Sequence, residues 1–183
     1  MRKSSHKLSE EPSATEIFII GIRSQAKDYM LSWALNENLG ISLEKKGQIK
    51  LKVSSENEAQ QKQTVLFQES APGATEEESV NDVFRFDHEA LHTEIFLIVN
   101  QGTHKWLVPE WKTMDYFLLF RGPVPKRDQK NILKQIMEIP VLTIAVEISI
   151  QQIPPEQRLL FTNDNYGTVD KNKNRSNSRT RLK

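Results

Sequence analysis

The sequence predicts an α+β domain: a mostly antiparallel sheet of five to seven strands with two helices on one face, built as a ferredoxin-like core with inserted strands. Three observations lead there. Short apolar or alternating segments that read as strands outnumber the helical periods. The links between several of them are of hairpin length. Each of the two helical segments has its own stop signal, Gly40 for the first and Pro140 for the second. The expected order is β-α-β-β-β-β-β-α-β, which places runs of strands between two helices and so favours an antiparallel sheet over a parallel one.

The elements follow from local chemistry. Glu16–Ile22 (EIFIIGI) is short, apolar and β-branched, as a buried strand requires. Ser24 is placed to cap a helix running to about Asn38, with Gly40 supplying a left-handed stop. That helix is apolar on two sides. Ala26, Tyr29, Met30, Trp33 and Ala34 make one arc, and Leu31, Leu35 and Leu39 make another. A helix of this kind is buried between layers or covered by a partner, and the arc of Leu31, Leu35 and Leu39 is the candidate interface. Residues 41–53 alternate around Lys46-Gly47 and predict a hairpin. Thr64–Gln68, Val83–Phe86 and Glu94–Asn100 are further strand candidates. Met114–Phe120 (MDYFLLF) is almost continuously apolar, as in a central strand covered on both faces. Arg127–Glu138 carries Ile132, Leu133, Ile136 and Met137 on one stripe of a second helix, and Val141–Ile150 is the last strand.

Composition bounds the chemistry. The chain has 183 residues, enough for one domain with tails. It contains no cysteine, which removes disulfides, thiolate zinc sites, iron–sulfur clusters and cysteine nucleophiles from consideration. Lys plus Arg number 25 and Asp plus Glu 24, so no general field for nucleic acid or membrane is expected. The charge is nevertheless uneven. Six basic residues and no acid lie in Lys171–Lys183, and without them the net +1 becomes −5. Residues 1–14 and 163–183 read as disordered tails flanking a single domain over 15–162, because they offer too few large apolar residues to offset the entropy of ordering. Ser54–Gln63 reads the same way, and Ala71–Ser79 reads as an acidic loop. With no apolar run long enough for a signal or a membrane span, a soluble cytoplasmic protein is expected.

One set of segments is familiar. Gly21-Ile22-Arg23-Ser24, then Asp28-Tyr29 and Leu31–Asn36, together with Val108-Pro109-Glu110, Asp115-Tyr116-Phe117-Leu118-Leu119, Ile132-Leu133, Ile136, Ile139-Pro140 and Ala145, resemble the bacterial IPExxxDY family over about Glu16–Phe161. Val108 stands where the family name has Ile, and four residues rather than three separate Glu110 from Asp115. The resemblance implies a fold-sized unit in a bacterial cytoplasm and brings no substrate, cofactor or catalytic residue with it. Read as chemistry, Val108, Pro109, Glu110, Asp115 and Tyr116 are mainly a packing device. Pro109 turns the chain ahead of the strand, and Tyr116 packs inward with its hydroxyl at the edge.

Three motifs could carry function. His88-Glu89-Ala90-Leu91-His92 matches H-E-x-x-H, in which two His one helical turn apart bind zinc and the Glu is a general base, the pattern of a metal-dependent hydrolase. The strand character on both sides leaves about six residues for the required helix, so a turn is the expected conformation. Gly21–Ser24 joins a strand to a helix start, where anions can bind, but the glycine pattern of a nucleotide cradle is missing, and a capped turn explains it. The tail residues Lys171, Lys173, Arg175, Arg179, Arg181 and Lys183 could hold RNA or another polyanion through counterion release, without aromatics for base stacking. The leading expectation is a non-enzymatic binding or accessory protein without cofactor that engages another protein or a second copy of itself. Trp106, Trp111 and Tyr116 near the signature are the aromatics expected to contribute.

Overall fold

The computed structural model describes residues 16–52 and 78–162, and the backbone of Gly167–Thr168. Six long strands and a two-residue seventh form one antiparallel sheet: β1 Ile17–Ser24, β2 Glu44–Lys52, β3 Glu78–His88, β4 Thr93–Val99, β5 Tyr116–Arg121, β6 Leu142–Ile148 and β7 Gly167–Thr168. Their spatial order is β6-β1-β5-β4-β3-β2-β7. Three helices accompany them: α1 Asp28–Leu39, α2 Lys126–Met137 and α3 Pro155–Thr162. The units β1-α1-β4 and β5-α2-β6 each bridge two strands with one strand between them, since β5 lies between β1 and β4 and β1 lies between β5 and β6. This is the ferredoxin-like core expected from the sequence, with β2 and β3 inserted between α1 and β4 to widen the sheet.

Alternation along the strands divides the apolar residues between two faces. Phe18, Ile20 and Ile22 of β1, Leu97 of β4 and Leu118 of β5 face α1 and α2, and meet Leu31, Leu35, Ile136 and Ile139. Ile19, Phe96, Ile98, Phe117 and Leu119 face the other way and are covered by Leu107, Val108, Met114, Ile153 and Phe161. All six residues of β5 are buried, so its near-continuous apolar run reflects two covered faces. The second face is closed by α3, at the end of the domain, where no helix was expected. Its signal was present in Pro155 at the start of the helix, with Glu156 in the first turn. At one end of that face, Arg121 is 5% exposed; it donates from Nε to Glu94 at 2.7 Å, lies 4.8 Å from the Phe96 ring centre and reaches the Thr162 carbonyl.

Three local expectations change. The hairpin around Lys46-Gly47 is one continuous strand, β2, in which Lys46 is an extra residue between the pairs Lys45↔Phe84 and Gly47↔Val83. A bulge restores the alternation after one unpaired residue, and so mimics a turn in the sequence. Glu78 and Ser79 belong to β3 rather than to the acidic loop. Ser24 does not cap α1: the helix begins at Asp28 after Lys27, and Ser24 is the last residue of β1. Gly40 does end α1, with φ 64°. The N-terminal tail over 1–14, the strand expected at Thr64–Gln68 and the segment Ser54–Gln63 lie outside the described residues, as does the C-terminal tail over 163–183 apart from Gly167–Thr168, which pairs with β2 as β7.

The two arcs of α1 take opposite roles from those expected. Leu31 and Leu35 have no exposed surface, and Leu39 packs against the same core, so the arc proposed as an interface is the core side of the helix. Tyr29, Met30 and Trp33 point to solvent. Periodicity shows that both sides are apolar, but only the direction from which the sheet approaches decides which one is buried. Leu35→Ala is therefore expected to lower the unfolding free energy by about 2–5 kcal/mol, whereas Trp33→Ala should change it by about 0.5 kcal/mol or less. Urea denaturation monitored by circular dichroism distinguishes them, and equal losses would contradict the assignment of the two arcs.

Candidate functional site

The signature residues form a clamp between the start of β5 and the end of β1. The Ser24 N–H donates to Asp115 Oδ2 at 2.9 Å, and the Asp115 N–H donates to the Ile22 carbonyl at 2.9 Å. A hydrogen bond to a carboxylate contributes about 1.5–3 kcal/mol, more than a neutral one. Ser24 Oγ accepts the Ala26 N–H at 3.1 Å and donates to the Val141 carbonyl at 2.6 Å. Tyr116 Oη donates to the Ala26 carbonyl at 2.7 Å. Burial, and then the charges of Asp28 and Asp115, push the Tyr116 phenol up to about 12, so it stays a proton donor. Asp115 and Tyr116 thus fix the β1–α1 connection, and Ser24 ties it to Val141 just before β6.

Val108 and Pro109 belong to a second device centred on Asn100, which is fully buried. Its Nδ2 donates to the Trp111 and Met114 carbonyls at 3.0 and 2.8 Å, and its Oδ1 accepts the Val108 N–H at 2.9 Å. Asn81, also fully buried, donates to the Asn100 carbonyl at 3.0 Å. These bonds hold residues 101–114 across the second face, where Val108 is buried and Pro109–Trp111 makes a single 3₁₀ turn. Glu110 is exposed on that turn. Asn100 carried no recognised motif, and nothing in the sequence set it apart from other asparagines at strand ends.

The HEALH segment is the turn of the β3–β4 hairpin. His88 ends β3 and pairs with Thr93, Glu89–Leu91 is one 3₁₀ turn, and His92 sits in the left-handed region at φ 49°. The two imidazoles are not one α-helical turn apart, so the arrangement that H-E-x-x-H needs is not formed, and the metal assignment of His88 and His92 is corrected. The strand pairing of β3 and β4 wins because it leaves only four residues between the paired ends. His88 instead lines a mainly apolar cavity of about 250 Å³ with Leu39, Ile95, Phe120 and Ile132. Among the described residues, no group of three His, Asp or Glu side chains could hold a metal ion.

The aromatics split apart as well. Tyr116 packs on the α1–α2 side, and Trp111 lies against the other core, where its Nε1 donates to the Gln152 carbonyl at 3.4 Å. The exposed apolar surface is elsewhere. Tyr29, Met30 and Trp33 of α1 are 59%, 45% and 65% exposed and, with Ala34 and Val141, they line a shallow hollow of about 240 Å³. Val141 is the residue whose carbonyl is held by Ser24, so the clamp fixes the place where the hollow meets β6. The basic residues Lys171, Lys173, Arg175, Arg179, Arg181 and Lys183 lie outside the described residues.

Compared with protein-family models, with curated proteins and with solved structures, the chain finds no match in any of the three. No helix among the described residues is long and apolar enough to cross a membrane.

Two measurements check these assignments. A phenol held above its unfolded value stabilises the folded state fully below about pH 10, and that stabilisation is lost as pH rises towards the folded value of about 12. Tyr116→Phe should cost about 0.5–1.5 kcal/mol at neutral pH and should lose less further stability than the wild type over the alkaline range. Parallel alkaline losses would remove the proposed burial effect. Metal analysis of the purified protein is expected to give no stoichiometric zinc, and one tightly bound zinc lost in His88→Ala would restore the hydrolase reading.

Proposed function

We propose that this chain is a non-enzymatic cytoplasmic accessory protein that binds another protein through the face made by Tyr29, Met30, Trp33 and Val141. The observation that carries the reading is the exposure of these large apolar side chains on one helix and the adjoining β6 entry. Contiguous exposed apolar surface is costly in water and marks interaction sites. Trp and Tyr are the residues that dominate binding energy when a partner desolvates them. The face is also held in place: the hydrogen bonds from Ser24 to Asp115 and Val141, and from Tyr116 to Ala26, fix the backbone beneath it. A surface ordered before binding loses less conformational entropy on association.

The test places a photo-crosslinking amino acid at Met30, with a control at Lys50 on the opposite edge of the sheet, in cells producing the full chain. One defined protein adduct is expected from Met30, absent from Lys50 and lost on adding Trp33→Asp, with circular dichroism confirming the fold. Equal labelling at the two positions would sink the reading.

A further inference from the structure

We propose that the protein bound at this side of the molecule is a second copy of the chain, with the two β6 strands pairing antiparallel across a two-fold axis. The inference rests on the reading of this side as an interaction face, and it names the partner.

The two edges of the sheet differ in how they meet water. β2 carries Lys45, Lys46, Lys50 and Lys52, has a bulge at Lys46, and is covered at Gly47 and Gln48 by β7. Charged side chains, bulges and short covering strands are the devices that stop an edge from pairing with another chain. β6, at the other edge, has no lysine and, among the described residues, no covering strand, and its one bulge, at Thr143, lies near its start and leaves Ile144–Ile148 in regular register. Its seven residues, Leu142–Ile148, contain no Lys, Arg or Pro, and Glu147 is their one charge. Ile144 is 40% exposed, and Val141 just before the strand is 38% exposed. Among the described residues, no strand pairs with the outer side of β6. An apolar edge of this length, left bare, invites uncontrolled association.

A second copy satisfies it. In an antiparallel pair, residues directly opposite each other both point their backbone groups at the partner strand or both point them away. A two-fold axis must therefore pass through a residue paired with itself. Full overlap of the regular segment Ile144–Ile148 puts that axis at Val146, which sets Ala145 opposite Glu147 and Ile144 opposite Ile148 of the other copy. The two glutamates face each other only in a register centred on Glu147, which keeps three residue pairs out of the five available. Like charges directly opposite are destabilising, so the strand's single charge selects the longer overlap. The pairing is isologous and uses both β6 edges, and the lysine-rich β2 edges then face outward, so association closes at a dimer instead of growing into a fibre.

The wild-type full chain at micromolar concentration in analytical ultracentrifugation is expected to sediment as a dimer. Ile144→Lys should raise the dimer dissociation constant at least about tenfold while circular dichroism stays unchanged. Because the chain has no cysteine, a Val146→Cys protein can be placed under mild oxidation. A covalent dimer is expected from it, with little from Thr143→Cys treated in the same way, and this arm needs no fold-perturbing lysine. A monomeric wild type, or a dimer whose Ile144→Lys variant folds and still dimerises, would overturn the proposal. A monomer that nevertheless gives a single foreign adduct at Met30 would end this inference and leave the accessory-protein reading standing. A monomer without that adduct would end both.

Discussion

Ser24 is the point on which the arrangement of this side of the protein depends. Its N–H, its hydroxyl as donor and its hydroxyl as acceptor are engaged with Asp115, Val141 and Ala26. One small residue, 5% exposed, therefore connects the end of β1, the start of β5, the approach to α1 and the approach to β6. Buried polar groups of this kind are costly unless every partner is in place, so the four segments take up their positions together. Tyr116 adds a second tie to Ala26 and, as a neutral phenol, does so without placing a charge in the core.

The same logic operates at the end of β4, beside the clamp, where the Asn100 N–H donates to the Asp115 carbonyl at 2.8 Å. Asn100 and Asn81 are fully buried; both donate their amide N–H groups to backbone carbonyls of residues 99–114, and Asn100 also accepts the Val108 N–H. A long connection without strands or α-helices can cross a sheet face only if its backbone groups find such partners. Asn100 supplies them, and Val108 and Met114 can then cover Phe96 and Phe117. The residues of the signature thus divide between two tasks. Asp115 and Tyr116 hold the β1–α1 turn, Val108 closes the second core, and Pro109 starts the exposed 3₁₀ turn that follows it.

Function follows from what these devices leave uncovered. With both faces of the sheet occupied, the large apolar residues still in water include Tyr29, Met30 and Trp33, close to the clamp, and Ile144 on the bare edge. The hydrophobic effect opposes that exposure wherever a partner is available. The edge chemistry then discriminates between partners: lysines and the short strand β7 guard β2, while β6 presents an almost uncharged strand.

The α+β class, the strand at Glu16–Ile22, the central strand with two covered faces, the second helix, the Gly40 stop and the apolar character of both sides of α1 are all legible in the amino-acid order alone. Those features depend on local propensity and on spacing within one element, which the chain carries everywhere. Tertiary structure decided which side of α1 is core, because Leu31 and Leu35 meet a sheet assembled from strands far along the chain. It also decided that HEALH is a hairpin turn, since pairing of β3 with β4 outweighs a single helical turn. The bulge at Lys46 and the reach of Asp115 to Ser24, 91 positions away, are likewise products of strand neighbours that no local pattern specifies.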